Sequence, residues 1–359
     1  MRIGLIGLPN SGKTTVFNAL TKSTEEITSY SGQRVKPHIG VVEIIDKRLD
    51  FLENYYQSKK KVYTTIEYID FVGLKEKVDK SELFSREELS LFKTVEEVAL
   101  VIRNFSDPII DEIQSNVNPL SDIETLEQEF VFSDYKICEK RIERIKKDLK
   151  RGVKSTSIHS ELNILEKCLP QLEQGKPLRI LGLKDEEKKI LSGFQFFSLK
   201  PLLVILNSDE NNFHNNQELV NIIEEKYSCV EIAGKFEMEL SQLSNEEAEL
   251  FMQDMDIKYS AIDRLTRKSY ELLNLITFFT AGKPEAHAWT IKRGTNAQKA
   301  AGKIHSDMSR GFIRAECFSV DDLKKYGSEK ELRNVGKLYL KGKDYIVQDG
   351  DVLRIRFNV

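Results

Sequence analysis

An octapeptide near the N terminus, Gly7-Leu8-Pro9-Asn10-Ser11-Gly12-Lys13-Thr14, constrains the fold of this chain more than any other feature of its sequence. It follows directly on the apolar run Arg2–Ile6 and precedes residues typical of a helix. Its glycines let successive backbone N–H groups turn inward on a phosphate, while the helix offers its positive N-terminal end. Lys13 would add a cation and Thr14 a hydroxyl ligand for Mg²⁺. The residues predicted to wrap the phosphates are Asn10, Ser11, Gly12, Lys13, Thr14 and Thr15.

A second motif, Asp70-Phe71-Val72-Gly73, ends the apolar run Ile66–Asp70, one strand-helix-strand interval after the phosphate loop. At that place we expect the Asp70 carboxylate to reach Mg²⁺ through water and the Gly73 N–H to meet the γ-phosphate, as in GTPase-like sites. Leu74 follows where a Ras-like protein carries a glutamine that orients water. Because an aliphatic side chain cannot orient water, hydrolysis must use another group.

A third motif, Asn207-Ser208-Asp209-Glu210, follows the apolar run Leu202–Leu206. Ligands collect at the carboxyl ends of strands in open α/β sheets, so this tetrapeptide is predicted to meet the nucleotide base. Guanine selectivity usually relies on Asn-Lys-x-Asp, whose aspartate accepts hydrogen bonds from the guanine N1–H and N2 amine. The longer Glu210 would misplace that acceptor, which favours ATP over GTP. A GTPase whose altered tetrapeptide still accepts guanine remains an alternative.

The order of apolar runs predicts an α/β fold with a mostly parallel sheet flanked by helices. We expect strands at Arg2–Ile6, Val41–Ile45, Ile66–Asp70 and Ala99–Arg103, and the pattern resumes at Leu202–Asn207 and Cys229–Ile232. The nucleotide-binding domain is therefore predicted to be discontinuous, with residues 1–132 and 195–274 interrupted by an insertion at residues 133–194.

The insertion is predicted to be an antiparallel helical hairpin, because apolar residues recur at alternating spacings of three and four in two stretches. They are Tyr135, Cys138, Ile142, Ile145 and Leu149, and then Ile158, Leu162, Leu165, Leu169 and Leu172. Turn-forming residues at Gly152–Ser157 separate the two stretches, and Pro170 is expected to kink or shorten the second helix.

The C-terminal residues 275–359 are predicted to form a small α+β module around a helix at Ala297–His305. Its expected strands are Ile276–Thr280, Ala288–Ile291, Gly311–Phe318 and Val352–Phe357. We interpret Trp289 as a core residue rather than a platform for a base. His287 and His305 are interpreted as structural residues, since no cysteine or carboxylate at a suitable spacing completes a metal site.

Composition narrows the possible functions. Of the 359 residues, 40% are hydrophobic and 31% charged, and no apolar run approaches membrane-spanning length, so we expect a cytoplasmic protein without membrane contact. Four cysteines without a Cys-x-x-Cys pair argue against a zinc site or a disulfide framework. The net charge of -3 means that any contact with nucleic acid must use local basic patches.

Two basic patches are candidates for such contact. Residues 136–154 hold nine lysines or arginines against three acids, and form either a surface for RNA phosphates or an ordinary solvated helix face. The second patch lies in the C-terminal module and contains Lys292, Arg293, Lys299, Lys303, Arg310 and Arg314.

Taken together, these motifs resemble the YchF or Obg-like ATPase family, which are Obg-related P-loop NTPases with a C-terminal ubiquitin-like domain of the TGS type. The resemblance covers nearly the whole chain, including GLPNSGKTTVFNALT, IGVVEIIDKRLDFL, AAGKIHSDMSRGFIRAE and GKDYIVQDGDVLRIRFNV. It implies an ATP-preferring hydrolase that forms ADP and phosphate, with Mg²⁺ as cofactor and K⁺ as a further candidate. Asn207 and Ser208 match the adenine-contacting positions, Ser208 through its backbone.

The resemblance also implies partners. Members of the family associate with ribosomes, which suggests contacts of the helical and TGS-like domains with rRNA, on the large subunit, and a role in translation or stress regulation. The second hypothesis is a ribosome- or RNA-binding module with little or no hydrolysis.

Three positions depart from the family pattern. Arg34 stands where the first switch usually carries a threonine for Mg²⁺, Leu74–Phe92 lacks the usual glycines, and Ala233-Gly234-Lys235 replaces a turn like Ser-Ala-Lys. Arg34 could stabilise charge on the γ-phosphate, as an arginine finger does, or it could be a solvated loop residue. We favour the second interpretation, since exposed loop arginines are common. Nucleotide binding is therefore better supported than turnover.

Overall fold

A computed structural model describes residues 1–23, 37–71, 86–113, 117–152, 156–254 and 257–358. Its strands are β1 (Arg2–Ile6), β2 (His38–Ile44), β3 (Lys61–Val62), β4 (Thr64–Asp70), β5 (Glu97–Asn104), β6 (Leu202–Ser208), β7 (Ser228–Ile232), β8 (Leu275–Ala281), β9 (Ala286–Lys292), β10 (Phe312–Ser319), β11 (Tyr339–Lys341) and β12 (Asp351–Phe357).

The helices begin with α1 (Lys13–Thr21), α2 (Lys47–Tyr56), α3 (Arg86–Phe92), α4 (Pro108–Ile113), α5 (Pro119–Lys150), α6 (Thr156–Glu173), α7 (Asp185–Leu191) and α8 (Gln217–Glu224). They continue with α9 (Gly234–Ser241), α10 (Asn245–Asp254), α11 (Ala261–Leu272), α12 (Ala297–Ile304), α13 (Ser306–Arg310), α14 (Val320–Tyr326) and α15 (Glu329–Asn334).

The first sheet has the strand order β2-β4-β1-β5-β6-β7. Strand β1 pairs in parallel with β4 and β5, and the parallel pairing continues from β5 to β6 and from β6 to β7. Every residue of β6 is buried, as are all residues of β5 but the last, which is typical of parallel strands covered on both faces. The strands predicted for this part of the sequence are confirmed, and β2 begins at His38, earlier than expected.

The predicted helical hairpin is formed by α5 and α6. Cys138 and Ile142 of α5 pack with Leu165 and Cys168 of α6 in one buried cluster. Helix α5 begins at Pro119, where a first-turn proline needs no N–H partner and Asn118 accepts a hydrogen bond from the Ser121 N–H. Pro170 does not end the second helix, which continues to Glu173.

The C-terminal module contains the second sheet, with the order β11-β10-β12-β8-β9-β3. Because side chains alternate along a strand, Phe278 and Phe279 of β8 enter different clusters. Phe278 packs with Ala297 and Ala300 of α12, whereas Phe279 packs with leucines of α2. The predicted strands and the helix at Ala297 are confirmed, but the sequence did not indicate that α2 and β3 belong to this module.

The chain divides into two compact units, residues 1–40 with 67–268 and residues 41–66 with 269–359. All four cysteines are buried free thiols, as predicted, and burial raises the pKa of Cys168 to about 11. Within the described residues, no helix has the length and apolar character needed to cross a membrane.

Candidate functional site

The phosphate loop joins the end of β1 to the start of α1. Gly12 caps α1 with a left-handed φ of 79°, and Asn10 is also left-handed, with φ of 63°. A Cβ added at Gly12 would lie 2.2 Å from Asn207 Nδ2, so both conformation and space require glycine there. Ser11 is buried, whereas Lys13, Thr14 and Thr15 form the half-buried first turn of α1. This is the turn that the octapeptide predicted.

Asn207 connects this loop to the turn that follows β7. Its Nδ2 donates to the Ser11 carbonyl at 3.0 Å, and its Oδ1 accepts from the Gly234 N–H at 3.0 Å. A Cβ at Gly234 would lie 2.6 Å from Asn207 Oδ1, which explains why this chain has glycine in that turn. The sequence predicted contact of Asn207 with adenine, and this stays a prediction. Its bridging role was missed, because it depends on three segments that are distant in the sequence.

Lys13, Thr14 and Asp70 come together because β1 and β4 are parallel neighbours that end at the same edge, with Leu5 opposite Asp70. Lys13 Nζ forms an ion pair with Asp70 Oδ1, and Thr14 Oγ1 lies 3.4 Å from Asp70 Oδ2. The Lys13 and Asp70 side chains are only 11% and 8% exposed. The sequence placed both residues near the phosphates but did not predict that they pair with each other.

The Thr14 hydroxyl and the Asp70 carboxylate are hard oxygen donors, which suit Mg²⁺. Magnesium needs only one or two protein ligands, since waters and nucleotide phosphates supply the others. In the described part of the chain no three His, Cys, Asp or Glu side chains come together in a way that could hold a metal ion. The pair therefore fits a magnesium ion that arrives with a nucleotide better than a metal held by protein alone.

The Asn207–Glu210 motif, which the sequence predicts to meet the base, lies at the end of β6 and in the turn that follows it. Ser208 is buried, and its hydroxyl donates to Glu231 Oε1 at 2.6 Å and accepts from Asn104 Nδ2 at 2.9 Å. Its side chain is thus directed to protein partners. Glu210 is exposed and lies in the short 3₁₀ turn Glu210–Asn212. The sequence missed Glu231 and Asn104 because they carry no motif.

An ion pair between Arg264 and the buried Glu237 holds the first turn of α9. Glu237 Oε1 accepts from Arg264 at 2.5 Å, and its Oε2 accepts from the Ala261 N–H at 3.1 Å. Burial raises the pKa of Glu237, and Arg264 opposes that shift. Arg264 also donates to the Glu231 carbonyl, so one guanidinium joins β7 to α9.

Some predicted residues lie outside the described ranges. Arg34, Gly73 and Leu74 are among them, and their predicted roles stay predictions.

In the C-terminal module, Trp289 Nε1 donates to Thr280 Oγ1 at 3.0 Å and its ring stacks on His287 with centroids 3.7 Å apart. His305 Nδ1 accepts from the Asp307 N–H at 3.2 Å at the start of α13. Each of these three side chains contacts residues of its own module, and the structural roles assigned to them stay predictions.

Two family descriptions match separate parts of the sequence. Residues 2–133 match the family described as a 50S ribosome-binding GTPase, and residues 275–358 match the YchF GTPase C-terminal family, described as a protein of unknown function. The ribosome-binding ATPase YchF of Escherichia coli O157:H7 is 40% identical, over 100% of this chain and 99% of that protein. The chain belongs to the YchF family. The Bacillus subtilis member, also named a ribosome-binding ATPase, is 37% identical over 99% of both chains.

Solved structures agree with this assignment. The YchF GTPase of Schizosaccharomyces pombe matches with a TM-score of 0.83 and 28% identity, covering 99% of this chain and 97% of that chain. A GTP-binding protein of Pyrococcus horikoshii OT3 has a TM-score of 0.62 and 17% identity over the full length of both chains, which supports the fold alone. The family resemblance and the fold class predicted from the sequence are confirmed.

Proposed function

We propose that this chain binds ATP in preference to GTP, together with Mg²⁺, and hydrolyses it to ADP and phosphate in association with the ribosome. The observation that carries the proposal is the convergence of Lys13, Thr14 and Asp70 at the end of the phosphate loop. Membership of a family whose curated relatives are named ribosome-binding ATPases supports the same activity.

Nucleotide binding would exchange the partner of Lys13. The Asp70 carboxylate neutralises Lys13 in the structure, and the more highly charged phosphates of ATP would compete for the same cation. Asp70 would then turn to Mg²⁺ through a water molecule, while Thr14 would ligate the ion directly. When bound, Mg²⁺ neutralises charge on the phosphates. Lys13 stays as a charge stabiliser, and Arg34 is a second candidate for that role.

We assign contact with the base to Asn207 and the Ser208 backbone, selection of the base to Glu210, and contact with the γ-phosphate to Gly73. The exposed position of Glu210 at the carboxyl end of β6 supports this assignment. GTP binding is the second candidate, because the matching N-terminal family and the Schizosaccharomyces pombe protein are both described as GTPases.

The nucleotide proposal is tested by competing a fluorescent ATP analogue with ATP and with GTP, and by measuring phosphate release. Lys13→Ala should reduce release about a hundredfold or more, because it removes a cation from the phosphates. The exposed Lys226→Ala is the matched control. Equal release from wild type and Lys13→Ala would contradict the enzyme and favour a binding module without hydrolysis. A GTP preference would contradict the role of Glu210. Measuring phosphate release with K⁺ replaced by Na⁺ tests whether K⁺ is a second cofactor.

For the ribosome we propose contact with rRNA of the large subunit through the helical hairpin and the TGS-like module. Lys136, Lys140, Arg144 and Lys147 recur at spacings of four, four and three, which places them on one face of α5, and Arg151 follows at its C-cap. Within the described residues neither Lys140 nor Arg144 has an acidic partner. Their charges are therefore available to phosphates. The six basic residues of the C-terminal patch are all exposed as well.

Ribosome co-sedimentation across a salt series tests this surface. The double variant Lys140→Glu/Arg144→Glu should weaken binding at least about tenfold and flatten its salt dependence, because fewer counterions are released. Lys188→Glu/Lys189→Glu, on the exposed face of α7, has the same charge change and should bind like wild type. If the Lys140→Glu/Arg144→Glu variant binds ribosomes like wild type, the contact does not use this face of α5.

The domain boundaries and cellular setting complete the proposal. We assign residues 1–132 and 195–274 to the nucleotide domain, except for α2 and β3, which pack in the C-terminal module. Residues 133–194 are assigned to the hairpin and 275–359 to the TGS-like domain. The protein would act in the cytoplasm, in translation or stress regulation, without membrane contact. Imaging a fluorescent fusion together with a ribosomal marker tests this placement.

A further inference from the structure

A row of polar side chains crosses the carboxyl ends of β5, β6 and β7. Asn104 Nδ2 donates to Ser208 Oγ, which donates in turn to Glu231 Oε1 at 2.6 Å. The same Glu231 oxygen accepts from Asn216 Nδ2, also at 2.6 Å. Asn216 Nδ2 reaches the Asn212 carbonyl as well, at 2.8 Å. The Glu231 carboxylate is therefore the common acceptor for two segments of the chain.

These two segments delimit the loop that carries Glu210. Ser208 precedes the loop at the end of β6, and Asn216 closes it immediately before α8. Between them, the Asp209 N–H bonds to the Asn104 carbonyl and Phe213 is buried, while Glu210 remains exposed. The loop is thus held at both ends by one carboxylate. It exposes Glu210, whereas the Asp209 carboxylate accepts from the Asn211 N–H within the loop.

We propose that Glu231 is a positioning residue for nucleotide selection: it holds the 209–216 loop so that Glu210 meets the base at a fixed distance. This inference rests on the proposed base-reading role of Glu210. Hydrogen bonds to a charged acceptor are stronger than those between neutral groups. A loop that is already ordered in the free protein loses no conformational entropy on binding, so it cannot easily adapt to a different base. Glu231 itself would touch neither base nor phosphate.

Three variants separate this role from general support of the fold. Glu231→Ala removes the acceptor, Glu231→Gln retains the Oε1 acceptor without the charge, and Ser208→Ala removes one donor. Glu225→Ala, exposed at the end of α8, is the control. The hydrogen bond from the Arg264 guanidinium to the Glu231 main-chain carbonyl is available to every variant. If Glu231→Ala does not fold, Ser208→Ala tests the same contact with a smaller change.

The first measurement is the ratio of the dissociation constants for GTP and ATP. We expect Glu231→Ala to bring this ratio about tenfold closer to one, and Glu231→Gln to keep it within about threefold of wild type. If Glu231→Ala weakens both nucleotides equally and leaves the ratio unchanged, Glu231 only supports the fold and the inference is wrong.

The second measurement is hydrogen exchange without nucleotide. In Glu231→Ala, amides of residues 209–216 should exchange faster, whereas amides of residues 10–15 should be unchanged. If amides of both segments exchange faster than in wild type by the same factor, or neither changes, Glu231 does not position the loop. If wild type lacks an ATP preference, the proposed function of Glu210 fails, and faster exchange confined to residues 209–216 would still establish that Glu231 holds the loop.

Discussion

The proposed nucleotide site has a phosphate side at residues 7–15 and a base side around residues 207–210, and the two are built from different kinds of contact. Residues 7–15 form the phosphate side from one continuous segment, in which left-handed Asn10 and Gly12 set the backbone turn. The base side instead depends on side chains from the ends of β5, β6 and β7, which meet around Glu231. A turn formed by one segment contacts the phosphates, which all nucleoside triphosphates share. Base selection instead requires that side chains from distant segments keep fixed positions relative to one another. Four substitutions test this difference between the two sides.

The largest effect is expected at the phosphate turn. Gly12→Ala should weaken ATP binding about a hundredfold and destabilise the fold by about 2–4 kcal/mol, because it adds conformational strain and overlaps Asn207. Gly327→Ala is the matched control, with φ of 77° against 79° at Gly12 and nothing within 4 Å of the added Cβ. It should cost only about 1 kcal/mol. Calorimetric binding and urea unfolding measure both quantities, and equal costs would contradict the role of the Asn207 contact.

A smaller effect is expected where the two sides are joined. Asn207→Ala leaves the buried Gly234 N–H without its acceptor, so the free energy of unfolding should fall by about 2–3 kcal/mol. Affinities for ATP and GTP should fall together, by about tenfold, since the Ser11 carbonyl also loses its donor. Asn221→Ala, exposed on α8, is the control. Loss of affinity for one nucleotide alone would show that Asn207 reads the base and does not merely join the two sides.

Glu210→Asp should act on the base side alone. The shorter carboxylate would shift the ratio of GTP to ATP affinity toward GTP by about three- to tenfold. Phosphate release at saturating ATP should stay close to wild type, because the phosphate turn is unchanged. Competition binding measures the ratio, with Glu218→Asp on α8 as the control. An unchanged ratio would remove Glu210 from base selection.

The smallest effect on nucleotide binding is expected at Asp134 of α5, whose carboxylate binds the turn Phe197–Leu199 that precedes β6. Its buried carboxylate accepts from the Phe197 and Ser198 N–H groups, and burial raises its pKa to about 7 from an ordinary value of 3.8. Between those pH values the folded state binds a proton that the unfolded state has released. This group therefore makes the wild type less stable as pH rises from about 4 to about 7.

Asp134→Asn should lose that pH-dependent contribution without changing the ratio of ATP to GTP affinity. Urea unfolding at about pH 4.5 and about pH 7.5 checks the first point, because the stability advantage of wild type over the variant should shrink as pH rises. Parallel pH dependence would exclude Asp134 as the titrating group. A changed nucleotide ratio would show that base selection depends on the whole of β6 and not only on its carboxyl end.

Much of this site could be predicted because its chemistry lies in short segments. The turn at Gly12 follows from the octapeptide, since only a few residues are needed to set its backbone. The proximity of Thr14 and Asp70 follows from two strands that were predicted to be parallel. The Lys13–Asp70 ion pair was not predicted, because the family pattern describes the nucleotide-bound site, in which both groups face other partners.

The phosphate turn, the positions of the predicted strands and the helical hairpin follow from the sequence alone, because each depends on local spacing. The family follows from it as well, because the similarity is long and continuous. Only the tertiary structure decided that Asn207 joins Ser11 to Gly234 and that Glu231 binds both Ser208 and Asn216. These contacts join residues far apart in the chain, and two of the side chains, Glu231 and Asn216, belong to no motif. Their positions are set by strand register and packing, which no local pattern encodes.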